Sequence, residues 1–116
     1  ADGEKPAGYI LVLADRERGP VSEYDAGIAA ENILLGAAER GLGGCIIASI
    51  KKEQLCSALG IPPRYQLLLV IALGVPREKV VLDPLDSEGT IQYWRDKQGI
   101  HHVPKRALED LILDLD

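Results

Sequence analysis

Lys105 and Arg106, adjacent cations directly after Pro104, are the residues of this chain best suited to hold an anion. A proline opening a helix would leave free backbone N–H groups beside them, and two cations next to a helix N-terminus make a seat for a phosphate. The same dipeptide is common on solvated surfaces, so charge alone does not make a site. His101 and His102 lie just upstream. No Cys, Asp or Glu stands at a metal-ligand spacing from them, and neighbours on an extended segment point opposite ways. One inward, hydrogen-bonded histidine and one exposed histidine are therefore expected, and no metal. Gly41-Leu42-Gly43-Gly44 could approach a phosphate, but a dinucleotide fingerprint follows a strand and opens a helix, whereas this cluster follows a helix and opens a strand. A helix cap and tight turn is its expected role. Ser22, Ser49, Ser57, Cys45 and Cys56 lack a G-x-S-x-G elbow or a histidine at a telling spacing, which disfavours a hydrolase. Asn32, the polar residue inside an apolar helical stretch that also carries Asp25 and Glu31, reads as a buried amide satisfied by backbone.

These residues must be positioned by elements that the hydropathy pattern outlines. Gly8 to Ala14 is a short continuous apolar run, which predicts a strand buried on both faces. Ser22 can cap a helix with Glu23 and Asp25 in its first turn, and apolar positions recur at helical spacing up to Gly41. Its many small residues (Gly27, Ala30 and Gly36 among them) suit close packing of helices, including packing between subunits. Cys45 to Ile50 predicts a second strand, Lys51 to Leu59 a short amphipathic helix ended by Gly60 and Pro62-Pro63, and Gln66 to Gly74 a third buried strand. Strand, helix, strand, helix, strand is the order of an α/β domain with right-handed crossovers. Beyond Pro76 the chain turns polar: Arg77 to Gly89 reads as a surface excursion, Ile91 to Trp94 as a short edge strand, and Pro104 to Ile112 as a final helix.

Composition bounds the function. The chain has 116 residues, 47% of them hydrophobic and 27% charged, the usage of one ordinary globular domain. Thirteen Lys and Arg against eighteen Asp and Glu give a net charge of -5, which argues against a nucleic-acid partner. The longest apolar stretch, Leu67 to Leu73, falls well short of the roughly 20 residues of a membrane-spanning helix, so no membrane role is expected. The two cysteines read as buried thiols of a reducing, cytoplasmic setting. No methionine is present and the first residues resemble a linker, so the chain reads as a fragment or a processed product.

In order and wording these segments resemble the carboxyl-terminal part of the nitroreductase family of flavoproteins. Asp25-Ala26-Gly27-Ile28-Ala29-Ala30-Glu31-Asn32-Ile33-Leu34-Leu35-Gly36-Ala37-Ala38 is similar to the family's D-x-G-x-A-x-x-N-x-L-L-x-A-A helix. Gly41-Leu42-Gly43-Gly44-Cys45-Ile46-Ile47 follows where the family writes G-L-G-x-C-x-I, and Leu59-Gly60-Ile61-Pro62 resembles its L-G-I-P turn. Ile71-Ala72-Leu73-Gly74-Val75-Pro76 resembles its I-A-L-G-x-P strand end, and His101-His102-Val103-Pro104-Lys105-Arg106 its closing basic motif.

The resemblance implies an α/β (α+β) fold with a central sheet and flanking helices, spanning 1–116 as a single domain that lacks the family's N-terminal helices with their Arg-Ser-Arg-type clamp and Asn-x-Gln-Pro segment. It implies FMN held without a covalent bond at a homodimer interface. NAD(P)H would serve as electron donor and a nitroaromatic, quinone or related small molecule as acceptor, in ping-pong fashion. By position, Ile47, Ala48 and Ser49 would lie by the isoalloxazine ring, with backbone N–H groups near Ser49 at its N5/O4 edge. Some relatives have Glu-Gly where this chain has Ala48-Ser49. Lys105 and Arg106 would meet the FMN phosphate. No side chain need act as an essential acid, because the cofactor carries the chemistry and the protein places and tunes it. The competing expectation, from a different class, is a non-catalytic α/β assembly or ligand-binding module that has kept the core without the flavin clamp.

Overall fold

The computed structural model describes residues 5–113. The chain divides into two compact units, Ala1–Pro76 and Arg77–Asp116. In the first unit the elements are β1 (Gly8–Asp15), α1 (Glu23–Glu39), β2 (Gly43–Ile47), α2 (Lys52–Ala58) and β3 (Tyr65–Gly74). Each lies within three residues of the segment predicted for it, the largest shift being at β2, which begins two residues earlier and ends three residues earlier than expected. Among the described residues no helix is long and apolar enough to cross a membrane.

The ends of α1 follow capping chemistry. The Asp25 N–H donates to Ser22 Oγ at 3.2 Å, satisfying one of the free donors of the first turn. At the other end the Gly41 N–H donates to Ala38 O and the Leu42 N–H to Ala37 O, a Schellman arrangement that needs the left-handed φ of +71° at Gly41. Three of the small residues of α1 serve the chain's own core: Ala26, Ala30 and Ala37 are buried and α1 packs on all three strands. A Cβ at Gly44 would lie 2.8 Å from Leu73 Cδ2 and collide with Leu34 of α1, so glycine lets the helix approach the sheet this closely.

The sheet order is β1-β3-β2, with both neighbours antiparallel to β3. This corrects the expected succession of crossovers between parallel strands. β1 and β2 run in the same direction, as a β-α-β path requires, but β3 enters between them in the opposite sense. An apolar run carries no information on strand direction. The reversal is local: the Ile61 N–H bonds Cys56 O, the Tyr65 N–H bonds Pro62 O, and Gly60 takes a φ of +64°. At the far end of the sheet Arg64 closes on both carboxylate oxygens of Asp15 and also reaches Glu17 Oε2 at 2.9 Å, clamping the exit of β1 to the entry of β3. That hydrogen-bonded guanidinium is the main reason the Asp15 carboxyl sits below its ordinary range.

Among the described residues burial on both faces is reached only by β3, through Leu67, Val70 and Ile71. No residue of β1 is fully buried, and Tyr9, Ile10 and Leu13 are exposed. The cysteines differ likewise from expectation: Cys45 is exposed on an outer strand and Cys56 is half-buried, both as free thiols. Asn32 is exposed rather than buried, and its amide donates to Ile28 O at 2.9 Å, the backbone partner expected of it.

The second unit departs furthest from its sequence reading. The excursion after Pro76 contains β4 (Val80–Pro84), the edge strand is β5 (Trp94–Arg95), and β6 (His101–Lys105) occupies the start of the predicted final helix. They form a sheet of order β4-β6-β5, parallel between β4 and β6 and antiparallel between β5 and β6. Pro104 is tolerated in β6 for a geometric reason. The His101 N–H points to β4, donating to Lys79 O, so by alternation position 104 faces the β5 side, where pairing has already ended at His102. What remains of the helix is one 3₁₀ turn, Glu109–Leu111.

Candidate functional site

The residues expected to hold a ligand fall into two groups, one in each unit. In the first, Ile47 is the last paired residue of β2, opposite Val70, and is half-buried. Ala48 and Ser49 follow, exposed, and the chain turns sharply as the Ile50 N–H donates to Ala48 O at 2.9 Å. Lys51 then precedes α2 as its N-cap residue, its carbonyl accepting from the Leu55 N–H. The segment from Ile50 to Gln54 lines an open hollow of about 360 Å³. Among the described residues the Ser49 N–H has no hydrogen-bond partner, so a backbone donor at the strand end stays available to a ligand acceptor.

In the second unit Lys105 ends β6 and Arg106 lies just beyond it, both exposed. Neither makes an ion pair among the described residues. The helix N-terminus expected beside them is absent, because Pro104 belongs to a strand, so any anion held here would rely on the two side chains alone.

Upstream, the structure reveals a polar arrangement that sequence reasoning missed. His101 and His102 leave β6 on opposite faces and both are largely buried, which corrects the expectation that one would be exposed. His101 Nδ1 lies 3.3 Å from Glu78 Oε2, which also accepts from Arg95 Nη2 at 2.7 Å. His102 Nδ1 lies 2.8 Å from Asp83 Oδ2, and its ring stacks on Trp94 at 4.0 Å between centroids and 7° between planes. The Arg95 hydrogen bond is the main influence holding the Glu78 carboxyl below its ordinary range, with His101 adding to it against the effect of burial. For Asp96 burial works upward, and the Ile100 N–H, His102 and the Gln98 N–H together outweigh it. The signal that could have located the hairpin is the repeat of Asp-x-x-Gly at Asp86–Gly89 and Asp96–Gly99. In both, the carboxylate accepts backbone N–H groups ahead of it, and the glycine has positive φ.

The first unit is a mixed α/β unit with a backbone donor beyond the end of β2, and the second carries two adjacent exposed cations. Comparison with known proteins assigns the class. The nitroreductase family model matches residues 4–75, more than half of the chain, and the chain belongs to the nitroreductase family. An NADPH-flavin oxidoreductase of Vibrio harveyi is 33% identical over 66 residues, covering 55% of this chain and 28% of that protein. A nitroreductase family protein of Clostridium novyi NT superimposes with a TM-score of 0.53 at 36% identity, over 60% of this chain and 43% of its own. An FMN-dependent nitroreductase of Clostridium difficile does so with a TM-score of 0.56 at 31% identity, over 61% and 46%. The chain thus spans under half the length of these relatives. The family match coincides with the first unit and ends before the second begins.

Proposed function

We propose that the chain is part of an FMN-dependent oxidoreductase that works as a homodimer, and that Ile47, Ala48, Ser49, Lys105 and Arg106 are its contributions to the cofactor site. The observation that carries this reading is the unspent Ser49 N–H at the end of a strand that lies within the family match. Bound FMN would accept hydride from NAD(P)H and pass electrons to a nitroaromatic, quinone or related acceptor in two alternating half-reactions at one site. The chain's own part is limited and physical. Ile47 offers an apolar side chain to a ring, the Ser49 N–H a donor to a ring acceptor, and Lys105 with Arg106 the positive charge a phosphate needs. No side chain of this set is required to move a proton. A cytoplasmic setting accords with the two free thiols.

The homodimer draws support from α1. Beside the face that Ala26 and Ala30 bury against the sheet, the helix exposes Tyr24, Ile28 and Leu35 at helical spacing, with Gly27 in open space among them. Gly27→Leu or Ile28→Arg is expected to give monomers with secondary structure intact, read by sedimentation. An unaltered profile for both would remove α1 from the interface.

The cofactor assignment is tested by comparing FMN with riboflavin, which lacks the phosphate. Replacing Lys105 and Arg106 together by Ala should weaken FMN at least tenfold more than riboflavin, about 1.4 kcal/mol. Equal weakening of the two ligands would remove these residues from the phosphate.

A further inference from the structure

The second unit holds, around His102, a set of contacts that a neutral imidazole cannot satisfy. Asp83 of β4 faces its Nδ1 at 2.8 Å. Asp96, in the turn between β5 and β6, faces its Nε2 at 3.5 Å, within ion-pair reach but outside hydrogen-bond geometry. That Nε2 is otherwise buried without a partner. A neutral ring has one N–H and one lone pair, so in either tautomer one of the two carboxylates faces a lone pair. The imidazolium presents an N–H to each. Its cationic face also suits the parallel indole of Trp94 on β5, stacked at 4.0 Å. On the opposite face of β6 Glu78 engages His101 and accepts from Arg95, and Lys105 at the end of β6 is exposed.

We propose that His102, clasped by Asp83, Asp96 and Trp94, is a proton-operated latch that draws β4, β5 and β6 together when its ring carries both protons and slackens when it loses one. All three strands contribute. β4 supplies Asp83, β6 supplies His102, and β5 with its turn supplies Trp94 and Asp96. Deprotonation leaves the turn carboxylate against a lone pair and weakens the stack, so the short β5 is the part that comes loose. Asp96 is otherwise held in place by the Gln98 and Ile100 N–H groups, so the turn moves as a piece. Lys105 lies three residues along β6 from His102, so the latch would also govern how firmly that cation is presented. Only this last consequence rests on the flavin reading.

Trp94 is the sole tryptophan of the chain and reports the latch directly, because an imidazolium stacked on an indole quenches its emission more than the neutral ring does. In the full chain without added flavin, emission should rise in one step as pH is raised. Faster amide exchange in residues 94–102 should follow the same step. His101→Gln should keep the step and His102→Gln should abolish it. Asp96→Asn, which leaves the Asp83 bond in place, should move the midpoint to lower pH. A flat emission profile would overturn the latch, as would a step that survives His102→Gln or an exchange rate indifferent to the step. None of these results bears on FMN binding, and loss of FMN binding would leave the emission step intact.

Discussion

The two units of this chain are built on different physics. In the first, the order comes from apolar periodicity: β3 buries Leu67, Val70 and Ile71, α1 lays three alanines against the sheet, and polar contacts serve mainly to finish ends. In the second, the described residues include no fully buried apolar side chain. Its small sheet is held by histidine–carboxylate pairs, an arginine–glutamate pair, two Asp-capped turns and aromatic contacts of Tyr93 and Trp94 with the two histidines. The difference teaches that a polar, irregular-looking stretch can still encode a sheet when its charges are placed to pair across strands.

Substitutions should expose this contrast. The largest effect is expected at Ile71, fully buried in the middle of β3. Ile71→Ala should cost about 2–5 kcal/mol in denaturant unfolding followed by amide exchange of residues 65–74. A cost below about 1 kcal/mol would mean that the first unit's core is looser than its burial shows. Next, Gly44→Ala forces a methyl against Leu73 and Leu34 and should cost roughly 1–3 kcal/mol by the same measurement. Ser22→Ala removes the cap of α1 and should cost about 1 kcal/mol.

Acid sharpens the comparison without a mutation. Glu78, Asp86 and Asp96 of the second unit, and Asp15 of the first, have carboxyl pKa values lowered by folding. Such groups add stability in full above the ordinary carboxylate range of roughly 4, and that stability is lost as pH falls through the lowered folded values. Most of them are in the second unit, so its amide protection should fall first as pH drops below about 4. Simultaneous loss in both units, or earlier loss in the first, would contradict the division.

Much of the first unit was legible in the sequence because its signals are local. Ser22 and Gly41 mark the helix ends by their own chemistry, and continuous apolar runs mark the strands. Strand direction was not legible, since β3 lies between β1 and β2 through a reversal at residues 56–65 that no hydropathy pattern encodes. In the second unit Pro104 suggested a helix start, a reading that weighs only the proline's own φ. Its place in β6 depends on pairing with β4 and on the early end of β5, both set by residues distant in sequence. The candidate residues were legible as types. Ile47 ends β2 and Ala48 and Ser49 lie just beyond it, where the apolar run had suggested a strand continuing to Ile50, whereas Lys105 and Arg106 have their charge without the helix that was to support it.

The most direct test of the flavin reading is the absorption spectrum of the purified, concentrated protein, taken before and after saturation with FMN and removal of the excess. Flavin bands amounting to about one FMN per chain, shifted from those of free FMN, are the expected result. A protein that stays colourless after FMN is added would contradict it, and would leave the chain a nitroreductase-family fold serving assembly or another ligand.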